Sequence, residues 1–254
     1  MTSTTVSADG TTIAYTRQGQ GPALIFVDGA LCSRTFGPHP TLAQVMASDF
    51  TVFTYDRRGR GESTDTLPYA VEREVEDLAA VIEAAGGEAF VSGHSSGALL
   101  ALHAAELNVP KLVLFEPPVG DDECRSIESD YTAKLRGLVE SGKRREAVVD
   151  FQTSIGIPED VLAQMEPVMP AFEAMAHTIV YDCTIVEQTD YAFARGVPTE
   201  TLVLSSDVTG ENLTHWAKTI ADNLPNGTHR ELAGNWHGVP DEDLKPVLVE
   251  FFKS

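Results

Sequence analysis

Short apolar runs alternate with amphipathic stretches along most of the chain. "ALIFV" (23–27), "TVFTY" (51–55), "AFVSG" (89–93), "KLVLF" (111–115) and "TLVLS" (201–205) are rich in β-forming residues and lack polar alternation. That is the pattern of strands buried on both faces in a parallel sheet. Between them, "TLAQVMA" (41–47) reads as a helix. Across residues 70–85, Val71, Val75, Leu78, Ala79 and Ile82 recur at helical spacing until Gly86-Gly87 stops the pattern. A further helix is expected from about Ser95 to Leu107, another near 212–224, and a last one from about Asp241 to Phe252, with "THREL" (228–232) as an intervening strand. Asp9-Gly10, flanked by "TTVS" and "TTIAYTR", marks a hairpin turn. Strand–helix alternation of this kind predicts an α/β fold: a mostly parallel central sheet flanked by helices. The rhythm breaks between about 120 and 195, where helical patterns with charged faces are interrupted by Pro158, Pro167 and Pro170. The expected organisation is a core of residues 1–119 and 196–254, with 120–195 inserted as a helical cap.

Composition narrows the function classes. The chain has 254 residues, 43% of them apolar, enough for a substantial core in one unit. No run of 18 or more apolar residues occurs, and "MTSTTVSADG" lacks the basic and apolar regions of a signal peptide, so no membrane association is expected. Cys32, Cys124 and Cys183 are far apart and odd in number, which argues for a reducing cytoplasm rather than a disulfide framework. No Cys-x-x-Cys or His-x-x-x-His spacing suggests a metal, and no cofactor is expected. The formal net charge of −20 opposes binding to nucleic acid and disfavours a polyanionic substrate; its simplest role is solubility. The expected partner is a small uncharged molecule.

One stretch carries chemistry. "VSGHSSGALL" (91–100) contains G-x-S-x-G, with Gly93, Ser95 and Gly97 in the fixed places. After a buried strand and before a helix, this pattern turns the chain so sharply that its central serine, Ser95, stands exposed on a strained corner. The glycines let the helix pass close to the strand. The helix N-terminus supplies free N–H groups, that of Ser96 among them, and a positive dipole end facing any developing negative charge. An alcohol needs a base, and the base an orienting group, to act as a nucleophile near neutral pH.

With "GHSSG", "DRRGRGES" (56–63) and "NWHGV" (235–239) in place, the chain resembles the α/β-hydrolase fold superfamily, esterase-like members with a helical cap, over essentially its whole length. The resemblance implies a triad in the order serine, acid, histidine. It places the base at His237, before the final helix. The acid usually follows the strand matching "TLVLS" at a glycine-plus-three position. Here the stretch is "SSDVTGENL": Asp207 is the aspartate in reach, and if Ser206 stands for the glycine, the acid position falls on Thr209. Glu211 is nearby, and Glu116 in "LFEPP" is the alternative used by some members of the fold; Asp207 is the preferred candidate. The second oxyanion donor is implied at Ala30 in "VDGALCS", where Asp28 replaces the usual histidine and is expected to point away and bond loop amides. Cys32 is read as a buried structural thiol. The expected function is hydrolysis of an uncharged carboxylic ester, lactone or related acyl compound. A non-hydrolytic pocket on the same fold, as in a receptor, cyclase or lyase, is the alternative. Of the other histidines, His94 is expected in packing or a local hydrogen bond, His103 in the core, His215 and His229 at the surface. His177 is a candidate for the pocket and His39 for its entrance. Arg57, Arg58 and Arg60 are expected to brace loops.

Overall fold

The computed structural model describes residues 2–119, 122–157 and 159–254, without the side chains of 122–128. Pro158 and the side chain of Cys124 therefore lie outside the described residues. Eight strands form one sheet: β1 (Thr2–Val6), β2 (Thr12–Gly19), β3 (Ala23–Val27), β4 (Thr51–Tyr55), β5 (Phe90–His94), β6 (Lys111–Phe115), β7 (Glu200–Ser206) and β8 (Gly227–Leu232). Their order is β1-β2-β4-β3-β5-β6-β7-β8. β1–β2 and β2–β4 are antiparallel, the remaining pairs parallel. The Asp9-Gly10 turn closes the β1–β2 hairpin, with Gly10 at a φ of 89°. The central strands β3 to β7 are buried along nearly their whole length, as their unbroken apolar runs require.

The helices α1 (His39–Met46), α2 (Val71–Ala85) and α3 (Ser96–His103) connect the first strands; α10 (Glu211–Asn223) and α11 (Asp241–Lys253) flank the last ones. One side of the sheet packs β-strand residues such as Ile25, Val91 and Leu114 against Leu78, Val81, Leu99 and Ile220. The other side packs Phe26, Val113 and Leu204 against Leu42, Met46, Leu248 and Phe252. Helix α3 ends four residues earlier than its apolar pattern suggests. Nothing in the sequence stops it before Pro110; residues 104–107 instead form turns, Leu107 N bonding Ala104 O at 3.0 Å.

Between β6 and β7 the described residues form α4 (Asp122–Glu140), α5 (Arg144–Ser154), α6 (Glu159–Gln164), α7 (Met169–Ala174), α8 (Thr178–Glu187) and α9 (Tyr191–Ala194), with a 3₁₀ turn at Glu166–Val168. These helices have a core of their own, including Leu135, Val148, Phe172 and Ile179, which also takes in Leu31 from the loop after β3. Among the described residues, no helix is long and apolar enough to cross a membrane.

Candidate active site

Every strand end that carries a candidate residue lies at the same edge of the parallel sheet, because β3, β5, β6 and β7 run in one direction. Ser95 follows β5 directly and is the N-cap of α3, at φ 56° and ψ −129°. Two close backbone approaches make this corner possible. A Cβ on Gly93 would lie 2.4 Å from Gly97 O, and one on Gly97 would lie 2.3 Å from Val27 O, so neither position has room for a side chain. Ser95 N is tied to Phe115 O at 2.9 Å, which anchors the corner to β6. The loop after β3 lies alongside: a Cβ on Gly29 would stand 3.0 Å from Ser95 Cβ and 3.6 Å from its Oγ. Ala30, next in that loop, and Ser96, at the start of α3, thus flank the serine.

His237 sits at the tip of a tight turn between β8 and α11. Asn235 and Gly238 pair across it, with N–H···O distances of 2.7 and 3.2 Å. The His237 ring centroid is 4.5 Å from that of His94, the residue preceding Ser95. His94 Nε2 lies 3.1 Å from His237 O. A carbonyl only accepts, so Nε2 of His94 carries its proton. Burial, together with the neighbouring His237 and His39, holds the His94 pKa well below the usual imidazole range and keeps the ring neutral. His94 therefore supports the His237 turn from beneath, stacked on Phe115.

The carboxylate that meets His237 is Glu116. It stands at the end of β6, fully buried, with its backbone N–H bonded to Leu204 O on β7 at 2.9 Å. Its Oε2 hydrogen-bonds His237 Nδ1 and accepts from Thr209 Oγ1 at 2.9 Å. Its Oε1 accepts from Ser206 N at 2.7 Å. Thr209 Oγ1 in turn accepts from His237 N at 3.0 Å. Asp207, the preferred acid in the sequence, is placed differently: its Oδ1 accepts from Gly234 N at 3.0 Å, bracing the loop before the histidine. The physical reason is register. β7 extends to Ser206, so Asp207 already turns toward the β8 side, where its own N–H bonds Leu232 O. Glu211 stands exposed in the first turn of α10. The position that the glycine-plus-three register assigns to the acid is filled by the Thr209 hydroxyl, which contacts both Glu116 and His237.

Backbone strain gathers at this one place. Among the described residues, the non-glycine residues with positive φ are Leu31 (57°), Ser95 (56°), Glu116 (45°) and His237 (54°). Each such conformation costs about 1–3 kcal/mol and persists only where the surroundings enforce it. Three are the serine, histidine and carboxylate just described; the fourth adjoins Ala30.

Other expectations are modified. Asp28 does not bond loop amides: its Oδ1 lies 2.7 Å from His39 Nδ1. His39 is buried against Phe26, ring centroids 4.6 Å apart, rather than bordering an entrance. His177 lies 3.4 Å from Asp65. His103 bonds Thr189 Oγ1, and His229, half-buried rather than at the surface, bonds Ser205 Oγ. Cys32 is half-buried, and burial plus the Asp28 charge push its thiol well above the usual range. The arginines of "DRRGRGES" are all buried. Arg58 grips Asp77 through two hydrogen bonds of 2.7 and 2.8 Å, and Arg57 grips Glu74 through two of 2.7 Å. Arg57 and Arg60 also reach Asp182 on α8, which no sequence motif marks. Among the described residues no group of three or more His, Cys, Asp or Glu side chains converges as a metal site would require.

The chain belongs to the alpha/beta hydrolase family, whose model matches residues 10–248. It is similar to an alpha/beta hydrolase from Sphaerobacter thermophilus DSM 20745, with 43% identity over 98% of this chain and 100% of that chain and a TM-score of 0.89. It shares its fold with an esterase from Exiguobacterium antarcticum (17% identity, 100% of both chains, TM-score 0.80). An enol-lactonase from Burkholderia xenovorans LB400 is similar too (16% identity, 98% of this chain and 100% of that chain, TM-score 0.73). Family membership supports a hydrolase.

Proposed function

We propose that the protein is a cofactor-independent serine hydrolase, acting in the cytoplasm on an uncharged carboxylic ester, lactone or related acyl compound. The observation that carries this reading is the concentration of positive-φ residues at Ser95, His237 and Glu116, with Glu116 bonded to His237 Nδ1. A carboxylate at Nδ1 selects the tautomer that leaves Nε2 free as a base. Ser95 Oγ attacks the carbonyl carbon as His237 takes its proton. The carbonyl oxygen becomes an oxyanion, held by the N–H groups of Ala30 and Ser96. Collapse of the tetrahedral adduct expels the alcohol, protonated by His237, and leaves an acyl group on Ser95. Water, deprotonated by His237, repeats the sequence and releases the acid. Glu116 stabilises the imidazolium that forms. The helices between β6 and β7 act as the cap that shapes the acyl site.

The test is a panel of p-nitrophenyl esters of varied acyl length, run beside fluorophosphonate labelling. Ser95→Ala is expected to lose turnover by about six orders of magnitude, as for nucleophile loss in comparable triads, with little change in melting temperature. It is also expected to abolish labelling. Residual activity above about 1% in that variant would remove the covalent mechanism. A wild-type protein that neither labels nor turns over any ester would mark a binding pocket instead.

A further inference from the structure

We propose that Asp182, contributed by α8, is the positioning residue for both oxyanion donors, so that the helical segment between β6 and β7 completes the oxyanion hole of the sheet. The inference rests on the serine-hydrolase reading. It begins with three side-chain groups that all donate to one carboxylate. Ser96 Oγ donates to Asp182 Oδ1 at 2.7 Å. Arg57 Nη1 donates to the same oxygen at 2.6 Å and to Asp28 O at 3.2 Å. Arg60 Nη2 donates to Asp182 Oδ2 at 2.6 Å, and its Nη1 donates to Gly29 O. All four side chains are buried: Arg57 1%, Arg60 2%, Asp182 2% and Ser96 4% exposed.

The bond to Gly29 O sets a direction. Gly29 C=O and Ala30 N–H are opposite ends of one planar peptide group. Fixing where the carbonyl points fixes where the N–H points. A charged donor on the carbonyl also polarises the peptide and makes its N–H a better donor. The second contact acts on the other side of Ser95. A serine hydroxyl near a helix N-terminus readily turns back onto local backbone groups. Donation to Asp182 commits the Ser96 hydroxyl elsewhere and leaves the first amides of α3 to the oxyanion.

Asp182 remains a charged acceptor in this setting. Burial opposes its ionisation, but Arg60 and Arg57 and the Ser96 hydrogen bond hold its pKa below the usual carboxylate value. A neutral amide at this position would turn an N–H toward one of the donors. Glu74 completes the charge balance by pairing with Arg57, and Tyr69 O–H donates to Glu74 at 3.0 Å.

The experiment compares Asp182→Asn, Ser96→Ala and a control, Asp77→Asn. The control weakens an equally buried arginine–carboxylate pair, Arg58–Asp77, whose arginine hydrogen-bonds Asp9, Arg73 O and Asp77 rather than the loop after β3. Turnover of a p-nitrophenyl ester is measured per active site titrated with fluorophosphonate. Inhibition by phenylboronic acid is measured alongside. Addition of Ser95 Oγ to its trigonal boron forms one O–B bond, passes the serine proton to His237 and gives a tetrahedral anion with no leaving group. Asp182→Asn is expected to lower kcat by about 10- to 100-fold, part of what losing an oxyanion donor costs, and Ser96→Ala by about three- to tenfold. KM is expected to stay within about threefold in both, and the boronate inhibition constant to rise by the factor that kcat/KM falls. Asp77→Asn is expected to lower the melting temperature while per-site kcat and boronate inhibition are unchanged. Should Asp182→Asn fail to fold, Ser96→Ala alone decides, since it removes a single hydroxyl. Unchanged per-site kcat in Asp182→Asn or, failing that, in Ser96→Ala overturns the proposal while leaving the hydrolase reading intact, as does a loss confined to KM. A wild-type protein that is inactive and unlabelled overturns both.

Discussion

At Glu116, three donors converge on two oxygens: Ser206 N on Oε1, and Thr209 Oγ1 and His237 Nδ1 on Oε2. An amide cannot accept at both ends. Glu116→Gln would set an N–H against one of these donors and remove the charge that the proposed mechanism places beside the imidazolium. Its kcat on an ester is expected to fall by about four orders of magnitude, the loss seen when the acid of a comparable triad becomes an amide. Asp207→Asn, which disturbs only the bond from Gly234 N, is expected to keep turnover within about threefold in the same assay. The reverse ranking would transfer the acid role to Asp207. Why the sequence alone prefers Asp207 is a matter of geometry. β6 and β7 are neighbours, so carboxylates after either strand emerge at the same sheet edge, close to the same loop. Spacing along the chain does not say which one turns inward. The Thr209 hydroxyl at the usual acid position was the available sign, but a threonine in a loop announces nothing by its type. Ser95 is legible because steric demands on both sides, Gly93 and Gly97, are written as glycines.

At the scale of elements, the sharp β5–α3 turn depends on backbone contact rather than on side-chain packing. Gly97 has Val27 O and Asp28 O where a Cβ would be, at 2.3 and 2.5 Å. Gly97→Ala would push α3 off β3 and carry the Ser95 corner with it. Overpacking of this kind typically costs about 1–3 kcal/mol. The expected result is a lower midpoint in urea unfolding, together with a kcat loss larger than the stability change explains. A variant with wild-type midpoint and kcat would mean the corner tolerates a shift. The strands and the helices α2, α10 and α11 were legible within a residue or two, because unbroken apolar runs and amphipathic spacing both survive burial. The end of α3 was not: "ALLALHAAEL" is apolar nearly all round, so periodicity gives no face and no stop.

Across the whole molecule, pH reaches the fold through buried histidine. Burial first, then His237 and His39, depress the His94 pKa in the folded state. The folded protein therefore keeps this ring neutral where the unfolded chain, with an ordinary pKa near 6.5, binds a proton. Stability is full above that pH and declines below it, by up to about 1.4 kcal/mol per pH unit for this one group. His94→Gln, which retains a donor for His237 O, is expected to flatten the fall in melting temperature between about pH 6.5 and 5. An unaltered slope would place the acid sensitivity elsewhere. The buried contact between α8 and the loops of the sheet bears on a different matter, the exchange of parts between related proteins. The helices between β6 and β7 have the form of a module open to recombination. Yet Arg57 and Arg60 belong to the loop after β4, and the Asp182 carboxylate they share belongs to α8. A transplanted segment without that carboxylate leaves Arg57 its pair with Glu74 but leaves the Arg60 charge buried and uncompensated, a loss of about 3–5 kcal/mol when one partner of a buried pair is removed. Viable chimeras are therefore expected to inherit residues 57, 60 and 182 together, and expression and melting temperature of such exchanges check it.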